Sequence, residues 1–184
     1  MDKEFYDINL AGVERALPLC EVAPGLKIAV LNILGDTELV EACATELAKK
    51  LEDVDYDVIV TAESKSIPIA HALSVRTGKP YVVARKNYKS YMGNAIRSVS
   101  NSITTQSDQN LILDEKDIDA VKGKKVLIAD DVVSTGSTLH AMESLMEQAG
   151  ADPDYKVLAI CAEGPEEAWP EVICLGHLPL FKSE

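Results

Sequence analysis

The chain has 184 residues, 47% of them hydrophobic and 26% charged, which suits one domain with a core and excludes a disordered polymer. Its formal charge of −12, from 18 basic and 30 acidic side chains, argues against nucleic acid and anionic membranes as partners. No apolar run approaches the roughly 18 residues of a membrane span, the opening Met1-Asp2-Lys3-Glu4 is no signal-peptide pattern, and Cys20, Cys43, Cys161 and Cys174 form no C-x-x-C pair, so reduced thiols in a cytoplasmic protein are expected.

Residues 26–34 (LKIAVLNIL) read as a buried strand. Asp36 or Thr37 can cap a following helix with Glu38 and Glu41 in its first turns and Lys49-Lys50 at its end. Leu39, Cys43, Leu47 and Leu51 recur every four residues there, a helical core stripe. Residues 56–62 (YDVIVTA) form the next strand, 66–77 a helix with Pro68 in its first turn and Gly78 ending it, and 81–84 a short strand. Residues 87–101 keep neither period and are rich in Ser, Asn and Tyr, so a long mobile lid is expected, with 102–105 and 110–113 pairing as a hairpin beneath it. An apolar strand at 125–129 precedes a helix at 137–148 that puts Leu139, Met142, Leu145, Met146 and Ala149 on one face, closed by Gly150. Strands at 155–162 and 172–175 complete the chain. This alternation predicts an α/β fold, a central parallel sheet flanked by helices, and residues 1–184 form a single domain without repeat or linker.

The charge is unevenly distributed. From Ser64 to Ser107 there is no Asp or Glu, while seven bases stand there: Lys65, Arg76, Lys79, Arg85, Lys86, Lys89 and Arg97. A solvated basic face would explain this, and so would a wall facing a small polyanion. With a Debye length of about 8 Å, an anion in a cleft feels nearby lysines more than remote carboxylates. Arg76 and Lys79 fit helix-end and loop solvation better than ligand contacts.

In open α/β sheets ligands bind at the carboxyl ends of strands. One exit stands out: Val126-Leu127-Ile128-Ala129-Asp130-Asp131-Val132-Val133-Ser134-Thr135-Gly136-Ser137-Thr138. Free main-chain amides at the helix start, the hydroxyls of Ser134, Thr135, Ser137 and Thr138, and close approach at Gly136 suit a phosphate. Two adjacent carboxylates on an apolar strand are costly unless solvated or ligated, and they suit a sugar diol or a magnesium ion beside that phosphate. Neither G-x-x-x-x-G-K-[ST] nor G-x-G-x-x-G is present. An ordinary helix cap would account for one hydroxyl, not four.

The run from Val126 to Thr138 resembles the phosphoribosyl-diphosphate (PRPP) signature of type I phosphoribosyltransferases, and the resemblance extends over about residues 26–178. It implies that Asp130 and Asp131 hold the ribose hydroxyls and that Ser134, Thr135, Gly136, Ser137 and Thr138 hold the 5′-phosphate. Ala62-Glu63-Ser64-Lys65-Ser66 falls where the family keeps its pyrophosphate loop. Arg85-Lys86 with Lys89 is similar to a basic motif that reaches diphosphate, sometimes in a neighbouring subunit, and residues 87–110 correspond to a flexible hood. Mg2+ held mainly through PRPP and water, and a homodimer, are further implications.

The implied reaction is displacement at the anomeric carbon of PRPP by a ring nitrogen of a purine, with Asp130, Asp131, Lys65 and Arg85 as the catalytic set. Lys65, Arg85, Lys86 and magnesium would stabilise the leaving diphosphate while the hood excludes water. His71, His140 and His177 are scattered and suit surface or packing roles. The exit motif, the Arg85-Lys86 pair and residues 175–181 (LGHLPLF) are most similar to adenine phosphoribosyltransferases, so adenine is the favoured base. Thr104-Thr105-Gln106 is instead similar to the xanthine-type branch. A xanthine-type enzyme and a non-catalytic PRPP-binding regulator are the alternatives; the Arg-Lys pair argues against a pyrimidine or amidotransferase-type relative. Tyr81, Tyr88 and Tyr91 could stack on a base.

Overall fold

Apolar runs far apart in the chain become neighbours in one sheet. In the computed structural model, which describes residues 4–98 and 110–182, the elements in chain order begin with β1 (Phe5–Leu10), β2 (Val13–Ala23), β3 (Leu26–Ala29) and α1 (Thr37–Lys50). They continue with β4 (Val58–Ala62), α2 (Ile67–Thr77), β5 (Tyr81–Ala84), β6 (Ile96–Arg97), β7 (Ile112–Leu113) and α3 (Glu115–Val121). The last are β8 (Val126–Val133), α4 (Ser137–Ala149), β9 (Lys156–Glu163), β10 (Val172–Ile173), β11 (Gly176–Leu178) and β12 (Leu180–Lys182). The central sheet runs β10-β9-β8-β4-β5, parallel throughout, with β11 also on β9. From β4 the chain steps outward to β5 and then crosses to β8 on the other side. The crevice at the carboxyl ends of β4 and β8 is therefore the switch point, where this architecture holds ligands.

The helices follow their sequence signals. Leu39, Cys43, Leu47 and Leu51 are all buried against one face of the sheet, and Leu139, Met142, Leu145, Met146 and Ala149 against the other. Asp36 caps α1 by accepting from the Leu39 amide, and it also receives two hydrogen bonds from Arg15 of β2, at 2.8 and 2.9 Å. Arg76, read as helix-end solvation, ties α2 to α1 through Glu41 at 2.6 Å.

One expectation needs correction. Residues 26–34 are not one strand: β3 stops at Ala29 and belongs to a separate antiparallel sheet, β1-β2-β3-β12. Leu31 and Ile33 are buried, but the chain turns there, with Asn32 Oδ1 accepting from the Leu34 amide and the Ile33 carbonyl from the Asp36 amide. Hydrophobicity marked burial, not conformation. The β1–β2 hairpin, turning on Ala11-Gly12 at positive φ, and α3 were not anticipated. The partner of Ile112–Leu113 is Ile96–Arg97, whereas the expected arm at 102–105 lies outside the described residues. Of the hood at 87–110, the described part is anchored: Met92 is buried, and Asn94 bonds to Glu115 through its amide and its side chain.

Candidate active site

The strand carrying the acidic pair is longer than hydrophobicity suggested. β8 continues through Asp130 and Asp131 to Val133, because pairing with β9 places Asp130 opposite Ala159 and Val132 opposite Cys161. The carboxylates therefore lie within the strand, not beyond it, and are 8% and 5% exposed. The Asp131 amide donates to Asp130 Oδ1 at 2.9 Å. Burial first, and the neighbouring Asp131 charge second, push the Asp130 pKa well above the usual carboxylate range. Asp131 Oδ2 is buried without a hydrogen-bond partner, although the Lys65 ammonium lies 3.2 Å away. A buried carboxylate oxygen left without a hydrogen-bond partner points to donors arriving from outside the chain.

They floor a cleft of about 260 Å³. One wall is the turn after β4, where Glu63, Ser64, Lys65 and Ser66 all line it and the Glu63–Ser64 peptide is cis. Ser66 is not a free hydroxyl: its Oγ donates to the Ala62 carbonyl at 3.0 Å and contacts Thr61 Oγ1, which also reaches the Ala129 carbonyl at 2.8 Å. This chain fixes the turn to β8. The opposite wall is Ser134 and Thr138. An adjoining hollow of about 20 Å³ is lined by Thr135, Gly136 and Ser137.

Gly136, at φ +80°, is the residue from which α4 starts, and no hydroxyl caps the helix. The Ser137 amide reaches only Thr135 Oγ1, at 3.4 Å. First-turn amides and neighbouring hydroxyls thus converge on one hollow without being consumed by capping, which is an anion cradle.

Glu63 serves the basic motif. Its carboxylate accepts from the Lys86 amide at 2.9 Å and pairs with Arg85 Nε at 3.2 Å, and the Lys86 hydrogen bond leads in holding its pKa below the usual range. The structure brings Lys86 to the cleft; Arg85 and Lys89 line neither cavity. Tyr81, Tyr88 and Tyr91 do not line the cleft either: Tyr81 packs on His71, Tyr88 donates to the Gly93 carbonyl, and Tyr91 is exposed. Thr104 and Thr105 lie outside the described residues.

Two features escaped the sequence reading. Ile28, Ala29, Val30 and Leu31, at the end of β3, form an apolar side of the cleft, and Glu163, the last residue of β9, adds a carboxylate there. The sequence signal for Glu163 is its place at the carboxyl end of a parallel strand.

A parallel sheet with a switch-point cleft, a buried acidic pair and an open helix start has the chemistry to accept a phosphorylated ligand. A phosphoribosyl transferase domain model matches residues 30–167, and the chain belongs to that family. It is similar to the hypoxanthine/guanine phosphoribosyltransferase of Methanothermococcus okinawensis, 39% identical over 119 residues, 64% of this chain and 60% of that protein. The counterpart in Methanothermus fervidus is 35% identical over 144 residues, 78% of this chain and 68% of that one. The chain thus spans about 60% of the length of the first of these curated relatives. Among solved structures, the adenine phosphoribosyltransferase of Thermoanaerobacter pseudethanolicus has a TM-score of 0.65 at 21% identity, covering 95% of both chains. That of Leishmania donovani has a TM-score of 0.66 at 18% identity, covering 95% of this chain and 76% of the other. These structures share the type I phosphoribosyltransferase fold.

Proposed function

We propose that the protein transfers the 5-phosphoribosyl group of PRPP to a purine base, adenine favoured, giving the nucleoside monophosphate and pyrophosphate. The observation that carries this reading is the buried Asp130–Asp131 pair, set between the open start of α4 and the Lys65 turn. A phosphate in the hollow at residues 134–138 puts the ribose over the two carboxylates, which accept from its hydroxyls. The diphosphate then lies against residues 63–66, near Lys65 and Lys86.

In the reaction the bond from the anomeric carbon to the diphosphate oxygen breaks, a ring nitrogen of the base bonds to that carbon, and the base loses one proton. Negative charge grows on the departing diphosphate. Lys65 and Lys86 meet that charge, and at an effective dielectric near 20 a unit charge about 4 Å away contributes about 4 kcal/mol. Arg85, held by Glu63, adds positive potential behind Lys86. Positioning supplies the rest.

Among the described residues no group of three or more His, Cys, Asp or Glu side chains could hold a metal ion. Mg2+, when bound, would be held mainly by PRPP oxygens and water, with Asp130 and Asp131 the nearby carboxylates, and would neutralise charge on the diphosphate. A homodimer is part of the reading, since Lys89 is exposed and does not line its own cleft. So is a cytoplasmic setting, supported by four free cysteines, two of which burial pushes up to about 11 (Cys43) and about 12 (Cys161). No helix among the described residues is long and apolar enough to cross a membrane.

The curated relatives favour a second reading, in which the base is hypoxanthine or guanine. A panel of adenine, hypoxanthine, guanine and xanthine, each with PRPP and Mg2+ and assayed for pyrophosphate release, decides between them. Fastest release with adenine is expected. Release with none would overturn transfer and leave a PRPP-binding regulator.

A further inference from the structure

Four carboxylates line the cleft: the proposed reaction employs Asp130 and Asp131, and Glu63 is taken up by the Lys86 amide and Arg85. The fourth, Glu163, ends β9 and lines the same cleft as the apolar residues Ile28, Ala29, Val30 and Leu31. Asp131 has Lys65 at 3.2 Å and Asp130 has the Asp131 amide, but Glu163 has neither an ion pair nor a hydrogen bond to its carboxylate among the described residues. Burial alone raises its pKa, with no charge or hydrogen bond contributing. Half-buried carboxylates without partners cost free energy, so a group in this state is waiting for donors.

The geometry of the proposed site says where those donors come from. The phosphate occupies the hollow at residues 134–138, the ribose lies over Asp130 and Asp131, and the diphosphate faces residues 63–66. The lining left for the base is the apolar stretch Ile28, Ala29, Val30 and Leu31, and Glu163 is the lining carboxylate that has no partner among the described residues. An aromatic ring suits the apolar part. A carboxylate can only accept, so it pairs with N–H groups and repels a carbonyl oxygen at the same place.

We propose that Glu163 determines base choice, accepting from the exocyclic 6-amino group of adenine and disfavouring purines that carry an oxygen there. The inference rests on the transferase reading and adds to it a residue that discriminates substrates. A site built around a hydrogen bond rejects an analogue lacking the donor because its own buried group is left unpaired.

The test is the pair of variants Glu163→Gln and Glu163→Ala, each assayed with saturating PRPP and Mg2+ against adenine, hypoxanthine and guanine. Glu163→Gln keeps the shape and should fold as the parent does. The expected result is a fall of about tenfold or more in kcat/KM for adenine, the size of a lost charge-assisted hydrogen bond. Hypoxanthine should be unaffected or improved, and KM for PRPP unchanged, which general damage to the fold would not spare. An unchanged ratio of adenine to hypoxanthine in both variants overturns the assignment, as does a loss confined to guanine. Activity of the parent with 6-oxopurines alone overturns it too while leaving phosphoribosyl transfer standing; a parent inactive with every base overturns the transferase reading itself.

Discussion

Lys65 and Asp131 engage one another across the cleft, the ammonium half exposed and 3.2 Å from a carboxylate oxygen that is otherwise unpartnered. The cation assigned to diphosphate and the acid assigned to ribose are thus neighbours before substrate enters. PRPP must separate them, giving Lys65 phosphate oxygens and Asp131 ribose hydroxyls. Lys65→Ala should lower kcat for pyrophosphate release by about 10²-fold, the usual cost of losing one donor to developing charge. Its Tm should fall as well, because the buried Asp131 carboxylate then loses the cation beside it. Turnover within about threefold of the parent in a pyrophosphate assay would remove Lys65 from the mechanism.

Asp130 should show function opposed to stability. Its folded pKa is raised above 3.8 by burial and by the Asp131 charge. Between those two pKa values the native state keeps a proton that the unfolded chain has released, so stability falls as pH rises through that window. Asp130→Asn removes the ionisation. Thermal melts should therefore show the variant more stable than the parent, by a margin small near pH 4 and growing toward alkaline pH, while affinity for ribose 5-phosphate is lost. A margin that does not change with pH would mean that the cost of the buried charge has been misplaced.

How much of this was legible follows from the range of each signal. The stripes of α1 and α4 are local, so Leu39 to Leu51 and Leu139 to Ala149 were readable. The acidic pair and the hydroxyl turn were readable because a few consecutive residues carry the whole cradle. What failed depended on distant partners. Nothing near Asp130 says that β9 continues alongside it to Ala162, so the strand appeared to stop at the first carboxylate. Leu31 and Ile33 are as apolar as strand residues, yet Asn32 and Gly35 turn the chain between them and α1. In β1, Tyr6, Ile8 and Leu10 alternate with more exposed residues, but Ala11-Gly12 is a weak hairpin signal. Ile28 and Ala29 of the cleft's apolar side belong to β3 in the sheet made by that hairpin, so this side of the candidate site stayed hidden with it.

Glu63, which lines the cleft, also orients the basic motif. It bonds the Lys86 amide and pairs with Arg85. Because its folded pKa is depressed, this contribution is full above the ordinary value of 4.5 and fades as pH falls through the lowered one. Glu63→Ala should raise KM for PRPP by about tenfold through misplacement of Lys86, with a smaller effect on kcat. Glu63→Gln retains an acceptor for the Lys86 amide and should recover part of the loss. Equal KM values in parent and Glu63→Ala would show that the motif holds its position unaided.

Gly136 is required twice over. Its φ of +80° would strain any side chain, and a Cβ there would come within 2.7 Å of Trp169 Cη2 and 3.3 Å of His140 Nε2. Left-handed backbone alone costs an Ala about 1–2 kcal/mol, so Gly136→Ala should lower Tm by more than that strain accounts for. Adding Trp169→Leu should recover the part due to the ring and leave the part due to φ, a coupling that a double-mutant cycle measures. Trp169 is the single tryptophan and its ring lies against the cradle, so ribose 5-phosphate should change its fluorescence in the parent. In Gly136→Ala that response should shift to at least tenfold higher ligand concentration, since the first-turn amides no longer converge on one phosphate. An unshifted titration would mean that the phosphate binds elsewhere than at the start of α4.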